Sequence, residues 1–292
     1  MSTQRTQNSQ NSQNVQSIHR TPGAEAARGT ALITGASTGI GAVFADRLAR
    51  RGYDLILVAR NRERMDQLAR TITDASHRSV EVVAADLNDA SDLARIETRL
   101  RTDASVTLLV NNAGVGATTP LLASEVDQMD AMIRLNVTAL TRLAYAAVPG
   151  FVARANGAII NIASAVALAP DLLNGVYGAT KAYVLAFSQS LQHELADKHV
   201  RVQVVLPGAI ATPFWGLAGL PYENLPEQMV MSAEDLVDAA LVGFDLGELV
   251  TLPSLPDAQQ WTDFDAARVG LRPNLSLKTP APRYLAARRA AA

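Results

Sequence analysis

From Thr30 onward, short apolar runs alternate with longer segments in which apolar residues recur every three or four positions. The short runs have the length of buried strands, and the longer segments have the periodicity of one helical face. Because strands joined by helices form right-handed crossovers, this alternation predicts an α/β fold, a doubly wound parallel sheet of about seven strands with helices on both faces. The expected strands are 30–34, 54–59, 80–85, 106–110, 157–163, 200–206 and 249–252. The expected helices are 39–51, 62–75, 90–101, 125–154, 176–199, one beginning after Ser232 and one at 258–268.

The two ends of the chain differ in composition from this body. Residues 1–28 are rich in Gln, Asn, Ser and Thr, so we expect a disordered low-complexity tail that cannot bury a core. We expect residues 29–252 to form a single domain, and residues 253–292 to be a C-terminal extension packed on it. Trp261, Phe264 and Tyr284 of that extension either pack on the domain, cover a site or contact another subunit.

Composition excludes several classes of function. The 292 residues carry a formal net charge of -2 without a basic block, which argues against a nucleic-acid partner. The chain has no cysteine, which excludes disulfides and thiol catalysis, and no His, Asp and Glu cluster has metal-ligand spacing, so we expect no metal. We see no apolar run of the ~18 residues that span a membrane and no secretory signal. We therefore expect no membrane partner and a cytoplasmic location.

A glycine-rich turn joins the first expected strand to the first helix. Gly35 permits a tight turn because it lacks a Cβ, Gly39 lets a ligand approach the backbone, and Gly41 lets the helix pack closely on the strands. Free N–H groups at the helix N-terminus suit a pyrophosphate. The turn therefore predicts a dinucleotide site, although its Gly-x-x-x-Gly-x-Gly spacing differs from the usual fingerprint and a turn that binds nothing is the alternative.

A Tyr-x-x-x-Lys pair opens the helix after the fifth strand. Tyr177 and Lys181 lie four residues apart, so they share one helical face. An ammonium group lowers the pKa of a nearby tyrosine, normally ~10, so that Tyr177 can exchange a proton with an alcohol or carbonyl oxygen. Ser164, at the end of the fifth strand, offers a hydroxyl to the same oxygen. Taken alone, a structural contact is the commoner explanation of such a pair.

Five motifs together resemble those of the short-chain dehydrogenase/reductase family, in its single-domain Tyr-x-x-x-Lys branch, from about Thr30 to Leu252. The motifs are Thr34-Gly35-Ala36-Ser37-Thr38-Gly39-Ile40-Gly41, Asn111-Asn112-Ala113-Gly114, Asn136, Ser164 with Tyr177 and Lys181, and Pro207-Gly208 with Thr212. The resemblance implies a Rossmann-type catalytic domain, hydride transfer with a nicotinamide cofactor, and a homodimer or homotetramer.

The resemblance also implies a role for each residue. Tyr177 is the expected acid/base, Lys181 lowers its pKa and holds the nicotinamide ribose, Ser164 positions the substrate oxygen, and Asn136 holds a water that links Lys181 to solvent. Thr212 resembles the residue that binds the carboxamide. The expected cofactor-binding residues are Gly35, Ser37, Thr38, Gly39, Ile40, Gly41, Arg60, Asp86, Leu87, Asn112, Ala113, Gly114, Tyr177, Lys181, Pro207, Gly208 and Thr212. Simpler alternatives are a polar kink at Asn136, a helix N-cap at Asp86 and a strand terminator at Pro207-Gly208.

The end of the second strand predicts NADP(H) rather than NAD(H). In dinucleotide folds an acid at this point accepts hydrogen bonds from the ribose hydroxyls. Here Ala59 stands in its place and Arg60 follows, whose guanidinium can bind a phosphate with two charge-assisted bonds. Thr38 stands where some NADP(H)-using relatives have a second basic residue, so we expect a clear but not absolute preference.

These observations predict an oxidoreductase that transfers a hydride between NADP(H) and a small-molecule carbonyl/alcohol substrate. Segment 209–231 is expected to be a long loop that acts as a mobile lid, and its Phe214, Trp215 and Tyr222 indicate a partly apolar substrate. The alternatives are a 3-oxoacyl thioester reductase and a non-catalytic dinucleotide-sensing protein. A sensor has no need of a tuned tyrosine, which favours the enzyme.

Overall fold

The computed structural model describes residues 28–285, in which one central parallel sheet organises the chain. The strands are β1 (Thr30–Thr34), β2 (Asp54–Ala59), β3 (Val80–Ala84), β4 (Val106–Asn111), β5 (Gly157–Ile162), β6 (Val200–Val205), β7 (Ala209–Ile210), β8 (Val230–Met231) and β9 (Val250–Thr251). Seven of them form the sheet in the order β3-β2-β1-β4-β5-β6-β9, and β7 pairs with β8 separately. The predicted seven-stranded parallel sheet is confirmed.

Helices cover both faces of this sheet. They are α1 (Gly39–Arg50), α2 (Arg62–Ser76), α3 (Ala90–Thr102), α4 (Val126–Ile133), α5 (Leu140–Ala153), α6 (Gly175–Leu195), α7 (Phe214–Leu217), α8 (Ala233–Leu246) and α9 (Ala258–Gly270). Single 3-10 turns lie at Leu121–Ala123, Ala165–Ala167, Tyr222–Asn224, Glu227–Met229 and Arg272–Asn274.

The strands of the central sheet contribute side chains to hydrophobic cores on both of its faces. Along β1, Ala31 and Ile33 face the core under α1, α2 and α8, whereas Leu32 faces the core under α3, α5 and α6. Successive residues of a strand point to opposite faces, so a strand covered on both sides is apolar throughout. Phe44 and Phe151, both fully buried, occupy one core each. The sheet is thus a rigid platform whose strands all end at one edge.

Strand order reverses between β1 and β4, because the chain builds outward to β3 and then returns to the other side of β1. In open parallel sheets a crevice forms beyond the strand ends at such a point, and ligands bind there. The glycine-rich turn follows β1, and the Asn112 loop follows β4. The topology therefore brings the two loops to the same crevice.

Two segments differ from their expected structures. The single helix expected at 125–154 consists of α4, a π-helical stretch at Arg134–Ala139, and α5. The loop expected at 209–231 contains β7, α7, two 3-10 turns and β8. The π-helical stretch brings Asn136 to Val115 in the loop after β4, whereas β7 and β8 pair with each other within segment 209–231.

The chain ends are only partly described. The tail expected at residues 1–28 lies outside the described residues except for Arg28, whose N–H donates to Gly52 O at 3.2 Å. In the C-terminal extension, Trp261 packs against a core cluster beside α6, while Phe264 and Tyr284 are 49% and 60% exposed. None of the helices in residues 28–285 is both long and apolar enough to cross a membrane.

Candidate active site

The glycine-rich turn leaves the N-terminus of α1 open. Gly35 and Gly39 have φ values of +67° and +55°, which favour glycine, and a Cβ on Gly41 would overlap the carbonyl oxygen of Gly35. The Thr38 side chain makes no capping hydrogen bond and the first turn has no acidic residue. In contrast, α2, α3, α6 and α8 are each capped by a side chain, from Asn61, Asp89, Asn174 and Ser232 respectively. The first N–H groups of α1 are therefore available to an anion.

Thr34 braces this turn against the loop after β4. Its hydroxyl accepts hydrogen bonds from the backbone N–H groups of Asn112 and Ala113, both at 3.0 Å, and donates to Val110 O at 3.3 Å. Asn112 Nδ2 in turn donates to Thr34 O at 2.9 Å and to Gly35 O at 3.2 Å. Sequence analysis missed Thr34 as a positioning residue, although a hydroxyl at the end of a buried strand was a usable signal.

The ends of β2 and β3 form one side of the crevice. Arg60 follows β2 and is exposed, and within residues 28–285 no carboxylate lies within ion-pair distance of it. Asp86 Oδ1 accepts from Asn88 N at 3.0 Å in a tight turn, and Leu87 beside it is buried. The N-cap of α3 is Asp89, so the alternative that Asp86 caps that helix is wrong.

Ser164 and Tyr177 lie beyond the end of β5. The Ser164 hydroxyl donates to Pro207 O and accepts from Val166 N, both at 3.4 Å, which is long for hydrogen bonds. Because both hydrogen bonds are weak, the hydroxyl is oriented by them and remains available to another partner. Tyr177 stands in the first turn of α6, and only 6% of it is exposed.

Lys181 lies one turn further along α6 and is fully enclosed. Its Nζ donates to Ile162 O at 2.9 Å and lies 5.9 Å from the centre of the Tyr177 ring. A Cβ on Gly114 would be 3.5 Å from this Nζ, so the loop after β4 passes directly over the lysine. Since the same loop contacts Gly35, it joins the glycine-rich turn to the Tyr177 region.

Burial governs the protonation of this pair. Burial lowers the pKa of Lys181 to about 8 and raises the pKa of Tyr177 to about 12, with the Ser164 hydrogen bond opposing the rise. Sequence analysis expected Lys181 to lower the pKa of Tyr177. The structure differs because desolvation, which penalises the charged form of each group, is the largest cause of both shifts.

Asn136 holds the same loop from the other side. Its Oδ1 accepts from Val115 N at 3.0 Å, and its Nδ2 donates to Val115 O at 2.8 Å and to Thr180 Oγ1 at 3.1 Å. Thr180 Oγ1 donates to Tyr177 O at 2.8 Å. The π-helical stretch thus presents a carboxamide that links the loop after β4 to α6, as π-bulges at functional sites commonly do.

Asn174 sets the start of α6 and was missed in the sequence. Its Oδ1 accepts from Val176 N at 2.9 Å and Tyr177 N at 3.2 Å, and its Nδ2 donates to Thr119 O at 2.6 Å. The preceding Leu173 has a φ of +60°, an unusual conformation for leucine. An Asn three residues before the Tyr, with N-cap preference, was the signal that could have found it.

The segment after β6 closes over the crevice. Pro207 O accepts from Ala165 N at 2.8 Å, and Gly208 continues to a buried Thr212. A Cβ on Gly39 would lie 3.0 Å from Thr212 Cγ2, so this segment touches the glycine-rich turn. The segments after β1, β4 and β6 therefore touch one another, and all of the expected site residues lie within the described residues.

The surroundings of Tyr177 are apolar. Ala117, Met129, Met132 and Val166 form a buried cluster with it, and Val115, Val176 and Phe214 pack on this cluster. Three segments border the site, 115–125, 165–175 and 209–231, and they contain four acidic residues but no Lys or Arg. In residues 28–285 no group of His, Asp and Glu is placed to hold a metal ion.

Comparison with protein families gives one assignment that covers most of the chain. The family model described as short chain dehydrogenase matches residues 29–219. Among curated proteins, the very-long-chain 3-oxoacyl-CoA reductase of Anas platyrhynchos is 33% identical over 209 residues, which cover 70% of this chain and 67% of that protein.

Comparison with solved structures gives higher identities. A short-chain dehydrogenase from Sphingobium yanoikuyae in complex with NADPH is 49% identical, with a TM-score of 0.85 over 88% of this chain and 99% of that one. A bulky-bulky ketone specific alcohol dehydrogenase from Comamonas testosteroni is 46% identical, with a TM-score of 0.81 over 88% of this chain and 98% of that one.

Proposed function

The chain belongs to the short-chain dehydrogenase family, and we propose that it is an NADP(H)-dependent oxidoreductase that interconverts apolar ketones and their alcohols. The observation that carries this proposal is a single loop, 112–114, that contacts both the glycine-rich turn and Lys181. A dinucleotide on the turn would thereby be aligned with the Tyr177 hydroxyl. The relatives described as bound to NADPH and as specific for bulky ketones support the same assignment.

The crevice fits a dinucleotide at each end. The uncapped N-terminus of α1 suits the pyrophosphate, and the positive φ of Gly35 and Gly39 leaves the backbone open to it. Arg60 suits the additional phosphate of NADP(H), because a guanidinium binds phosphate with paired, charge-assisted hydrogen bonds. Asp86 and Leu87 border the adenine side, and Thr212 borders the nicotinamide side. When bound, the nicotinamide supplies or accepts the hydride.

Tyr177 and the residues around it transfer a proton to the substrate and stabilise the charge that remains. In ketone reduction the Tyr177 hydroxyl donates its proton to the substrate oxygen, and the high pKa keeps that proton in place until the oxygen becomes basic. The weakly bonded Ser164 hydroxyl holds the same oxygen. Lys181, once charged, stabilises the tyrosinate that is left behind. Asn136 and Asn174 act through the backbone by fixing the loop after β4 and the first turn of α6.

The border of the site favours a neutral, apolar substrate. A 3-oxoacyl-CoA thioester carries several phosphates, yet the three segments bordering the site supply Glu125, Asp171, Glu223 and Glu227 and no cation. The 3-oxoacyl thioester reductase remains the second candidate because of the avian relative of that description. A non-catalytic dinucleotide sensor would not need the set of four polar residues, which disfavours this alternative. The four are Asn136, Ser164, Tyr177 and Lys181.

The test measures oxidation of NADPH and NADH by absorbance, with a panel of aryl and alkyl ketones and one 3-oxoacyl-CoA. We expect oxidation of NADPH with the aryl ketones, slower oxidation of NADH, and little turnover of the thioester. Turnover confined to the thioester would favour the second candidate. Tight NADPH binding without turnover of any compound would favour a sensor.

A further inference from the structure

The Phe214 side chain packs against Tyr177. The two ring centres are 5.9 Å apart, and the tip of the Phe214 ring rests on Gly116 in the loop after β4. Tyr177 and Ser164 are only 6% and 8% exposed. The Phe214 ring is therefore one of the groups that cover Tyr177.

The Phe214 ring explains why residue 116 is a glycine. Its backbone does not adopt a positive φ, so the conformation itself does not require glycine. A Cβ at this position, however, would overlap Phe214 Cζ and lie 3.1 Å from both Cε atoms. Phe214 and Gly116 therefore form a matched pair of a ring and its seat.

The helix that carries Phe214 is attached at its two ends, and its Trp215 is buried. At its far end Thr118 donates to Ala218 O through both its N–H, at 3.0 Å, and its hydroxyl, at 2.9 Å. At its near end β7 and β8 pair to close the base of segment 209–231. Between these points the Phe214 ring contacts Tyr177, Gly116 and the edge of Trp215. Because neither attachment involves the Phe214 side chain, moving the ring breaks neither of them.

On the basis of the proposed function, we propose that Phe214 determines substrate size: a ketone displaces the ring, and its larger apolar substituent takes the ring's place between Gly116 and Tyr177. The substituent that fits is flat, neutral and about the size of a phenyl group, because it replaces a phenyl group. Met129 and Met132 in the adjoining cluster adapt to differences in shape, since methionine side chains are flexible. A small dialkyl ketone cannot hold the ring off its seat.

The first experiment compares kcat/KM with NADPH for 2-butanone, phenyl methyl ketone and naphthyl methyl ketone. Phe214→Ala should lower the naphthyl-to-butanone ratio by about tenfold or more, because 2-butanone no longer has to displace a ring, and a single methylene in a pocket already changes specificity by ~10–200-fold. Phe214→Leu, which keeps an apolar side chain in the seat, should give a smaller shift of the same sign. Phe264→Ala makes the same change on α9 and should leave the ratio unchanged.

The second experiment tests the seat without any substrate. Segment 209–231 has no Lys or Arg but several aromatic residues, so chymotrypsin is the suitable probe. Gly116→Ala should accelerate cleavage in this segment because the ring cannot seat. The double variant Gly116→Ala, Phe214→Ala should be cleaved no faster than Phe214→Ala alone.

The outcomes distinguish the proposed role of Phe214 from the proposed function on which it rests. An unchanged ratio in both Phe214 variants, with the natural protein active on ketones, would overturn the size rule and leave the proposed function standing. Equal rates of cleavage of Gly116→Ala and the natural protein would contradict the claim that segment 209–231 is held by the Phe214 ring resting on Gly116. Inactivity of the natural protein toward every ketone would overturn the proposed function and the size rule together.

Discussion

The buried charge of Lys181 makes a measurable prediction about stability. Burial lowers its pKa from 10.5 to about 8. A change of this size corresponds to about 3 kcal/mol of preference for the neutral amine in the folded protein. This preference lowers the free energy of unfolding near neutral pH. Lys181 is protonated there in the unfolded chain and must enter a desolvated site when the protein folds.

The sign follows from proton binding. Between pH ~8 and ~10.5 the unfolded chain keeps a proton on Lys181 that the folded protein has released, so the free energy of unfolding rises with pH. From pH ~7 to ~9.5 the rise amounts to about 2 kcal/mol. Tyr177 contributes little in this window, since its pKa of about 12 acts only above pH ~10, where it reverses the trend.

The assay is urea unfolding of the natural protein and of Lys181→Met at both pH values, without cofactor. Lys181→Met should remove the rise of about 2 kcal/mol. The matched control is Lys278→Met, which removes an exposed lysine of the C-terminal extension and should keep the rise. The change in stability with pH is the quantity that tests the prediction. The absolute stability does not, because Lys181→Met also deletes the hydrogen bond to Ile162 O. Identical pH dependence in the natural protein and Lys181→Met would refute the reasoning.

Three further predictions concern the cofactor, the lid and the start of α6. Arg60→Ala should weaken NADPH binding by about 1.5–3 kcal/mol and barely change NADH binding, and adding Ala59→Asp should reverse the preference; calorimetry on both cofactors checks this, and equal binding by the natural protein would count against Arg60. Trp215 fluorescence should change, and chymotryptic cleavage of segment 209–231 should slow, when NADPH and a ketone analogue bind together; no response in either signal would contradict a lid. Asn174→Ala should lower stability by about 1 kcal/mol through loss of the N-cap and lower kcat more than NADPH affinity, whereas Asn174→Ser, which keeps a capping oxygen, should recover part of the stability; a loss of NADPH affinity alone would contradict the positioning role.

The features visible in the sequence are those that local physics dictates. Strands such as β1 were predicted because a strand buried on both faces must be apolar throughout. The glycine-rich turn was predicted because few other residues accept the backbone conformations of Gly35 and Gly39. The spacing of Tyr177 and Lys181 fixed their common face on a helix.

The features that were missed depend on contacts between distant residues. Within the π-helical stretch, the carboxamide of Asn136 pairs with the backbone of Val115, a contact that no local pattern reveals. The seat of Phe214 on Gly116 likewise requires the folded arrangement of two loops. The high pKa of Tyr177 results from desolvation, which depends on everything packed around the ring. Two missed residues did leave local signals in the sequence: Asn174 through its N-cap preference, and Thr34 as a hydroxyl at the end of a buried strand.

The central claim, that Tyr177 supplies the proton in ketone reduction, is tested most directly by single-turnover oxidation of NADPH with phenyl methyl ketone. The comparison is between the natural protein and Tyr177→Phe, which removes only the hydroxyl, with NADPH affinity measured separately by fluorescence. The account predicts a rate lower by about 10²–10⁴-fold in Tyr177→Phe, as expected for loss of a positioned acid, with NADPH affinity nearly unchanged. A folded Tyr177→Phe variant that oxidises NADPH at close to the natural rate would contradict the account.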